Sequence, residues 1–273
     1  MPTSADVLSV FRSASGARDA GICPGLPLLS GRKLRPDSPL CGMRCLLVGV
    51  FPYFRGASPG SISLYARGAD YHEVILPRLA RAACALSALF PDARFAPGCD
   101  ASPIDEVRCA VAAGLGVRGD NGLFLSPRYG SFVFLGTLAC DLDLPAAAHP
   151  AEGCRHCGAC AAACPTGSVA KGTRTHCLSA LTQRRGALTE EEAALLRSCG
   201  SVWGCDRCQL VCPYNQAAER DPLPEFCENS VSDLPSELLS ASPAEWEIFL
   251  RGRAFAWRGH EVLARNLGIL SKK

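Results

Sequence analysis

Apolar runs alternate with helical patterns along the first part of the chain. Residues 45–54 (CLLVGVFPYF) are almost continuously apolar, which is typical of a buried strand. In Tyr71–Leu89 the apolar residues recur at helical spacing, and Pro77 within this stretch predicts a kink or a later start. A capped helix is predicted over residues 4–14, and a short strand over residues 94–96. The chain therefore opens with elements of both types.

The next segments continue the mixture. Residues 103–113 predict a helix with Pro103 in its first turn. Residues 122–125 and 131–138 predict two paired strands around the turn at 126–130. Helices and strands that mix in this way indicate an α/β (α+β) fold.

The composition of one short stretch marks a domain boundary. Residues 145–153 (PAAAHPAEG) are rich in proline, alanine and glycine and are typical of a linker. We therefore predict three domains, at residues 1–145, 150–217 and 218–273. Further helices are predicted over residues 190–197, 242–250 and 259–267.

Two runs of cysteines carry the strongest chemical signal. The first reads C-x2-C-x2-C-x3-C-P from Cys154 to Pro165, and the second reads C-x2-C-x3-C-P from Cys205 to Pro213. This is the ligand pattern of a protein with two [4Fe–4S] clusters, in which the last cysteine of one run binds the cluster of the other run. A loop with a cysteine at every third position reaches three corners of a cluster, and the fourth ligand comes from elsewhere in the chain.

The pattern leads to a definite assignment of ligands. We assign one cluster to Cys154, Cys157, Cys160 and Cys212, and the other to Cys164, Cys177, Cys205 and Cys208. The second run has no cysteine at the usual first position, and Cys177 is the nearest candidate upstream of Cys205. Cys199 is the alternative ligand for that position.

Two other uses of cysteine fit the spacing less well. A structural zinc ion takes four ligands, usually as two separated pairs, and three closely spaced cysteines followed by Cys-Pro do not match that pattern. A disulfide scaffold suits a short secreted chain, whereas this chain has 17 cysteines in 273 residues and no signal peptide pattern. The spacing therefore favours iron–sulfur clusters.

Composition and charge narrow the function classes. The chain is 48% hydrophobic, which is enough for a core, and its formal net charge of +2 gives it no overall basic character. A nucleic acid would therefore have to bind a local patch. No stretch approaches the roughly 20 apolar residues that span a membrane. We expect a soluble protein of the reducing cytoplasm, with no membrane partner.

Two features of the first domain have ordinary local interpretations. The glycines from Gly114 to Gly119 match G-x-G-x-x-G, but they follow a predicted helix and lead into a strand. A dinucleotide site needs the opposite order, so this interpretation is weak. Asp100 lies just before the predicted helix at 103–113, where an aspartate commonly caps the first turn.

Several motifs together resemble one family. They are Tyr65-Ala66-Arg67-Gly68 with Asp70-Tyr71-His72, Asp100-Ala101-Ser102-Pro103, Gly114-Leu115-Gly116 with Gly119 and Asn121, Pro127 with Gly130-Ser131 and Phe134-Leu135-Gly136, and the cysteine block at residues 204–215. With these motifs the chain resembles the epoxyqueuosine reductases, which are cobalamin-dependent iron–sulfur enzymes of tRNA modification related to the reductive dehalogenases. The resemblance runs from about residue 45 to the C-terminus.

The resemblance implies a fold and a mechanism. The first domain would be nitroreductase-like and hold cobalamin, the ferredoxin-like module would deliver electrons to form cob(I)alamin, and a short helical tail would follow. Asp100 would donate a proton to the departing epoxide oxygen, a role that suits a carboxyl group buried near the corrin. The implied cofactor contacts are Tyr65, Arg67, Tyr71, His72, Ser102, Gly114, Gly116, Gly119, Asn121, Gly130 and Ser131.

The resemblance also implies partners. The substrate would be tRNA, and an external low-potential donor such as flavodoxin or ferredoxin would supply electrons to a monomer. No histidine lies in a recognisable lower-ligand motif, which favours base-off cobalamin or a cobalt with no protein ligand. Candidate phosphate contacts are Arg184, Arg185, Arg251, Arg253 and Arg258.

Departures from the family pattern keep two other functions open. Asp120 replaces the family's lysine and Val117 its tryptophan. The segment between the first helix and Cys45 is short, and we expect a short form without C-terminal helical repeats. One alternative is therefore a cobalamin and iron–sulfur reductase of a small molecule, similar to a dehalogenase. The other is a two-cluster electron carrier with no substrate of its own.

Overall fold

The computed structural model describes residues 3–145 and 153–272. A four-stranded sheet with the order β1-β2-β6-β3 forms its centre, and every neighbouring pair of strands is antiparallel. The strands are β1 (Asp19–Pro24), β2 (Cys45–Pro52), β3 (Phe95–Gly98), β4 (Val117–Arg118), β5 (Phe124–Leu125) and β6 (Val133–Cys140). The predicted mixture of helices and strands is confirmed. The linker that we predict at residues 145–153 lies almost wholly outside the described residues.

Strand β2 is buried on both faces, which explains its continuous apolar run. Leu47 and Phe51 pack beneath helices α1 (Ser4–Ser15) and α2 (Tyr71–Leu89). Leu46 and Val48 point to the opposite face, because successive side chains of a strand alternate. Helix α3 (Glu106–Ala112) covers that second face. Burial of each such side chain contributes about 1.5–3 kcal/mol.

Helix α2 forms over the residues that the sequence predicts. Its N-cap is Asp70, whose carboxylate accepts the N–H of His72 at 3.0 Å. The helix continues through Pro77 to Leu89, so Pro77 does not end it. Gly136 lets α2 lie close to the sheet, because a Cβ there would be 2.7 Å from Cγ2 of Ile75.

The second half consists of short helices joined by loops. They are α4 (Ala159–Ala162), α5 (Leu178–Gln183), α6 (Glu190–Cys199), α7 (Arg207–Leu210), α8 (Pro213–Gln216), α9 (Pro243–Leu250) and α10 (His260–Ser271). Capping boxes start α6 at Thr189 and α9 at Ser242, and each satisfies two backbone donors. None of the described helices is long and apolar enough to cross a bilayer.

The C-terminal helices share a core with the first half of the chain. Trp203 and Phe255 are fully buried together with Leu263 of α10. Ile62 and Ala66, from the loop before α2, complete this core. The residues after the cysteine region therefore hold a loop of the first half in place.

Two predictions about residues 103–138 are wrong. The helix begins at Glu106 rather than Pro103, because the carboxylate of Asp105 caps it by accepting the N–H of Arg108 at 3.0 Å. Asp100 is consequently not a helix cap. Strands β5 and β6 do not pair with each other: β5 pairs with β4, and β6 already has β2 and β3 on its two edges.

Strand β1 is absent from the predictions. Its six residues include Gly21 and Pro24, and its three buried residues are consecutive rather than alternating. Both features weaken the sequence signal for a strand. Pairing with the fully buried β2 stabilises it instead.

Candidate active site and cluster region

Four side chains lie close together at the start of α2, namely Asp70, Tyr71, His72 and Asp100. The hydroxyl of Tyr71 donates a hydrogen bond of 2.6 Å to Oδ2 of Asp100. Nε2 of His72 lies 3.6 Å from the same oxygen, and its Nδ1 lies 2.8 Å from Oδ1 of Asp70. The structure thus brings together Asp100, Tyr71 and His72, and Asp70 orients the imidazole.

The backbone of Asp100 has an unusual conformation. Its φ is 55°, in the left-handed region that few residues other than glycine adopt. Its N–H donates to Oε1 of Glu106 at 2.8 Å, so Glu106 holds the loop in this conformation. Burial raises the pKa of Glu106 to about 8. The sequence analysis did not identify Glu106, because an acid six residues from Asp100 is an ordinary feature of a helix start.

The burial that we expect for Asp100 is not supplied by the polypeptide. Its side chain is 65% exposed. The hydrogen bond from Tyr71 is therefore the main protein contact that orients this carboxyl group.

An aromatic cluster connects Asp100 to the interior. The Tyr71 ring stacks on Phe134 with centroids 4.4 Å apart and on His72 at 4.1 Å, and its edge meets Tyr65 at 6.5 Å. Burial, and next the hydrogen bond to Asp100, raise the pKa of Tyr71. Burial also raises the pKa of Tyr65 to about 12. Both phenols therefore remain protonated at neutral pH.

A cavity of about 790 Å³ lies beside Tyr65 and Phe134. This volume falls within the range of about 300–1,000 Å³ that is usual for ligand and cofactor pockets. Of the predicted cofactor contacts, Tyr65, Gly119, Asn121 and Ser131 line it. We call this space the central cavity.

The other predicted cofactor contacts do not line the central cavity. They are Arg67, Tyr71, His72, Ser102, Gly114, Gly116 and Gly130. Arg67 is buried and donates to the carbonyl oxygens of Ile62 at 2.7 Å and Ser58 at 3.1 Å. Gly116 allows β4 and β5 to pair, since a Cβ there would lie 2.2 Å from the carbonyl oxygen of Leu125. These two residues therefore have structural roles.

Three cysteines that the sequence assigns to one cluster lie at the central cavity. Cys177, Cys205 and Cys208 line it together. Burial raises the pKa of the Cys205 thiol to about 11 and that of the Cys208 thiol to about 12. Iron binds thiolates, so cluster assembly would release these protons.

Cys164 and Cys199 differ in their relation to the central cavity. The Cys164 thiol is 3.5 Å from the hydroxyl of Thr166, which is 2.8 Å from that of Ser168 on the cavity lining. Cys199 lines a neighbouring cavity of about 270 Å³ that Cys205 also lines, and its carbonyl accepts a hydrogen bond from Arg207. Cys177, and not Cys199, lines the central cavity with Cys208.

The other cysteines converge from two segments. Cys154 and Cys157 lie on the loop that leads into α4, Cys160 lies within α4, and α4 packs against α7. The hydroxyl of Tyr214, two residues after Cys212, donates to the carbonyl oxygen of Gly153 at 2.8 Å. That bond joins the segment after Cys212 to the segment before Cys154, as a shared cluster requires.

A buried polar network joins the sheet to the cysteine region. The N–H of Ser131 donates to Oδ1 of Asn215 at 2.6 Å, and Nδ2 of Asn215 donates to the Ser131 hydroxyl at 2.8 Å. Asp206 accepts the hydroxyl of Ser63 at 2.6 Å and the N–H of Leu64 at 2.8 Å. Burial raises the pKa of Asp206. Asp206 and Asn215 lie in the cysteine block, which is the signal that could have identified them.

Asp120, which replaces a lysine of the family pattern, contacts a residue in the loop of the first cysteine run. Oδ1 of Asp120 is 2.8 Å from Nδ1 of His156, and Cys154 contributes a third atom to this group, all within 4.8 Å. Asp120 also lines the central cavity. The aspartate therefore connects the cavity loop to the loop of the first cysteine run.

Both halves of the chain are similar to known proteins. Residues 153–215 match the family model of a 4Fe-4S double cluster binding domain, and residues 35–101 match that of "Epoxyqueuosine reductase QueG, DUF1730". The prediction of two [4Fe–4S] clusters is confirmed by the first match. The epoxyqueuosine reductase of Listeria monocytogenes is 33% identical over 225 residues, which cover 79% of this chain and 58% of that protein. The chain spans somewhat more than half the length of the curated relatives that it matches.

Solved structures share the fold. The epoxyqueuosine reductase of Streptococcus thermophilus superposes with a TM-score of 0.81 at 24% identity, covering 96% of this chain and 79% of that one. An epoxyqueuosine reductase solved with an epoxyqueuosine-modified tRNA-Tyr stem loop gives a TM-score of 0.83 at 23% identity, covering 97% and 80%. The arrangement of the sheet domain, the cysteine region and the C-terminal helices therefore recurs in these proteins.

Proposed function

This chain is related to the epoxyqueuosine reductases over more than three quarters of its length, and from that relationship we propose that it reduces the epoxide of epoxyqueuosine in tRNA to queuosine. One observation carries the proposal. A single cavity is lined both by Tyr65 and Phe134 of the sheet domain and by three of the cysteines that we assign to one cluster. Such a cavity can hold an electron-accepting cofactor between the clusters and the substrate.

The cluster ligands are proposed from the cysteine spacing. We assign Cys154, Cys157, Cys160 and Cys212 to one cluster, and Cys164, Cys177, Cys205 and Cys208 to the other. The cluster beside the central cavity would pass electrons to the cofactor, since three of its ligands line that cavity. The other cluster would accept electrons from an external low-potential donor such as flavodoxin or ferredoxin.

The central cavity offers cobalamin both polar and apolar lining. Tyr65 and Asn121 line it with polar side chains, whereas the hydroxyl of Ser131 is already bonded to Gln209 and Asn215. When bound, cobalamin supplies a low-valent cobalt nucleophile that the protein itself lacks. The chain contributes binding, orientation and protons.

Asp100 would provide a proton to the epoxide oxygen. Reduction of the epoxide takes two electrons and two protons and releases the oxygen as water. Tyr71 donates to Oδ2 of Asp100, which leaves Oδ1 to carry the proton that is transferred. His72, which Asp70 orients, lies 3.6 Å from the same Oδ2. With tRNA as its substrate the enzyme would act in the cytoplasm, as a monomer.

Anaerobic reconstitution with iron, sulfide and cobalamin tests the proposal. We expect about eight iron atoms and one cobalt per chain. The loaded protein, given a chemical reductant and tRNA that contains epoxyqueuosine, should produce queuosine, detected by mass spectrometry of the digested nucleosides. Full loading without queuosine would exclude this substrate and favour a small-molecule reductase. Eight iron atoms without cobalt would indicate a two-cluster electron carrier.

A further inference from the structure

A second cavity, of about 560 Å³, lies at the start of α10. Arg185, Arg258 and Arg265 line it, with Glu261 as the acidic residue among them. Arg258 also lines the central cavity, so the two spaces meet at this side chain. A ligand in this basic cavity would lie next to the proposed cofactor site.

Arg258 and Trp257 form an exposed flat surface beside this cavity. The guanidinium carbon of Arg258 lies 3.7 Å from the centroid of the Trp257 ring. Trp257 is 58% exposed, which is unusual for so large an apolar side chain. Nε of Arg258 is buried and has no hydrogen-bond partner among the described residues. An aromatic ring and a guanidinium plane are the groups on which proteins stack unpaired bases of RNA.

Other arginines nearby are occupied by the protein itself. Arg184 forms an ion pair with Glu192. Nη1 of Arg265 donates to the carbonyl oxygens of Arg184 at 2.6 Å and Gly186 at 2.5 Å. Its Nε and Nη2 donate to Oδ1 of Asn266.

Arg185 and Arg258 differ from these arginines. No acidic side chain in the described part of the chain forms an ion pair with either of them, and Arg185 is exposed. They are therefore the two cations of this cavity that remain available to a phosphate group. Arginine forks match phosphate geometry better than any other side chain.

We infer that Arg185, Trp257 and Arg258 bind the single-stranded nucleotides next to the base that enters the central cavity. Trp257 stacks on one base, and the two arginines contact the adjoining phosphates. The inference rests on the proposed function, because it assigns the RNA-binding surface of that reaction. It needs no repeat domain, since the surface belongs to the C-terminal helices and to the loop after α5.

RNA binding by the cluster-loaded protein tests the inference. A fluorescently labelled anticodon stem–loop RNA would be titrated and its anisotropy measured, with a fully paired RNA duplex for comparison. Trp257→Ala should weaken stem–loop binding about tenfold or more, the usual effect of losing a stacked base. Arg185→Gln should weaken it and lower the slope of log Kd against log salt by roughly one. The control is Arg32→Gln, an exposed arginine that lines neither cavity and should leave Kd within about twofold of the wild type.

Iron content and cobalamin uptake are measured on every variant. Unchanged values would show that the variants fold and load normally. If Trp257→Ala and Arg185→Gln bound the stem–loop as the wild type does, the inference would be wrong and the proposed function would stand. If they lost cobalamin uptake instead, the surface would serve the cofactor, which also contradicts the inference. A wild-type protein that binds the stem–loop no better than the duplex would overturn the proposed function itself.

Discussion

The hydroxyl of Tyr71 lies 2.6 Å from Oδ2 of Asp100, and this bond joins the first turn of α2 to the loop after β3. Tyr71 in turn stacks on Phe134, which lines the central cavity. The contact therefore fixes an exposed carboxyl group relative to the cavity wall. A carboxyl group in this position can deliver a proton to a substrate without being buried by the chain.

Replacement of Asp100 should stop catalysis without affecting cofactor loading. We expect Asp100→Ala to retain about eight iron atoms and one cobalt while turnover falls about 100-fold to 10,000-fold, the usual effect of losing a general acid. The control is Asp105→Ala in the same loop, which removes the cap of α3. That variant should lose about 1 kcal/mol of stability and keep its turnover. Normal turnover in Asp100→Ala would remove Asp100 from the mechanism.

Cys177 and Cys199 offer a direct comparison of two cysteines. Cys177 lines the central cavity with Cys205 and Cys208, whereas Cys199 lines a neighbouring cavity with Cys205 but not with Cys208. Cys177→Ala should therefore lose about half of the iron, roughly four atoms per chain, because one cluster lacks its fourth thiolate. Cys199→Ala should lose none. Iron and sulfide analysis after reconstitution measures both, and the reverse result would make Cys199 the ligand.

Glu106 should make stability depend on pH. Burial raises its pKa to about 8, from an ordinary value of 4.5. Between these values the folded protein keeps a proton that the unfolded chain has released, so the free energy of unfolding falls as pH rises through this window. Above about pH 8 the effect is complete.

The variant Glu106→Gln isolates this contribution. Its side-chain oxygen can still accept the N–H of Asp100, but it does not titrate. The melting temperature of the variant minus that of the wild type should therefore increase from pH 5 to pH 8 and then stay level. Titrating groups that do not interact with Glu106 cancel in this difference. Parallel pH profiles for the two proteins would show that Glu106 ionises normally.

Gly130 should be essential for the contact between the sheet and the cysteine region. Its φ is 63°, and a Cβ there would lie 2.0 Å from Oδ1 of Asn215. Gly200 has a similar φ of 61° with open space around it. Gly200→Ala should cost about 1–2 kcal/mol, from backbone conformation alone.

Gly130→Ala should cost more, about 3 kcal/mol or above, because it also breaks the hydrogen bonds between Asn215 and Ser131. Thermal unfolding of the two loaded variants under identical conditions measures the difference. Equal melting temperatures would mean that Asn215 can move aside at little cost.

Local patterns predict well where one local interaction decides the structure. The range of α2 is confirmed because helical spacing and the Asp70 cap agree, even with Pro77 inside. The predicted start of α3 is wrong because both Asp100 and Asp105 precede the helix and either could cap it. The carboxylate of Asp105 is the one that accepts a free N–H, that of Arg108. The predicted pairing of β5 with β6 is also wrong. Strands β2 and β3 occupy the two edges of β6, and only the order of the strands in the folded sheet shows this.

The sequence by itself determined that this protein holds two [4Fe–4S] clusters, because ligand spacing within a loop is a local property. It also determined the buried strand β2 and the motif that contains Asp100. Only the tertiary structure decided which residues share the central cavity. Tyr65, Asn121, Ser131 and Cys208 come from separate segments, and long-range packing brings them together. The same packing decided that Arg185 and Arg258 meet at one surface, while Arg184 is occupied by Glu192.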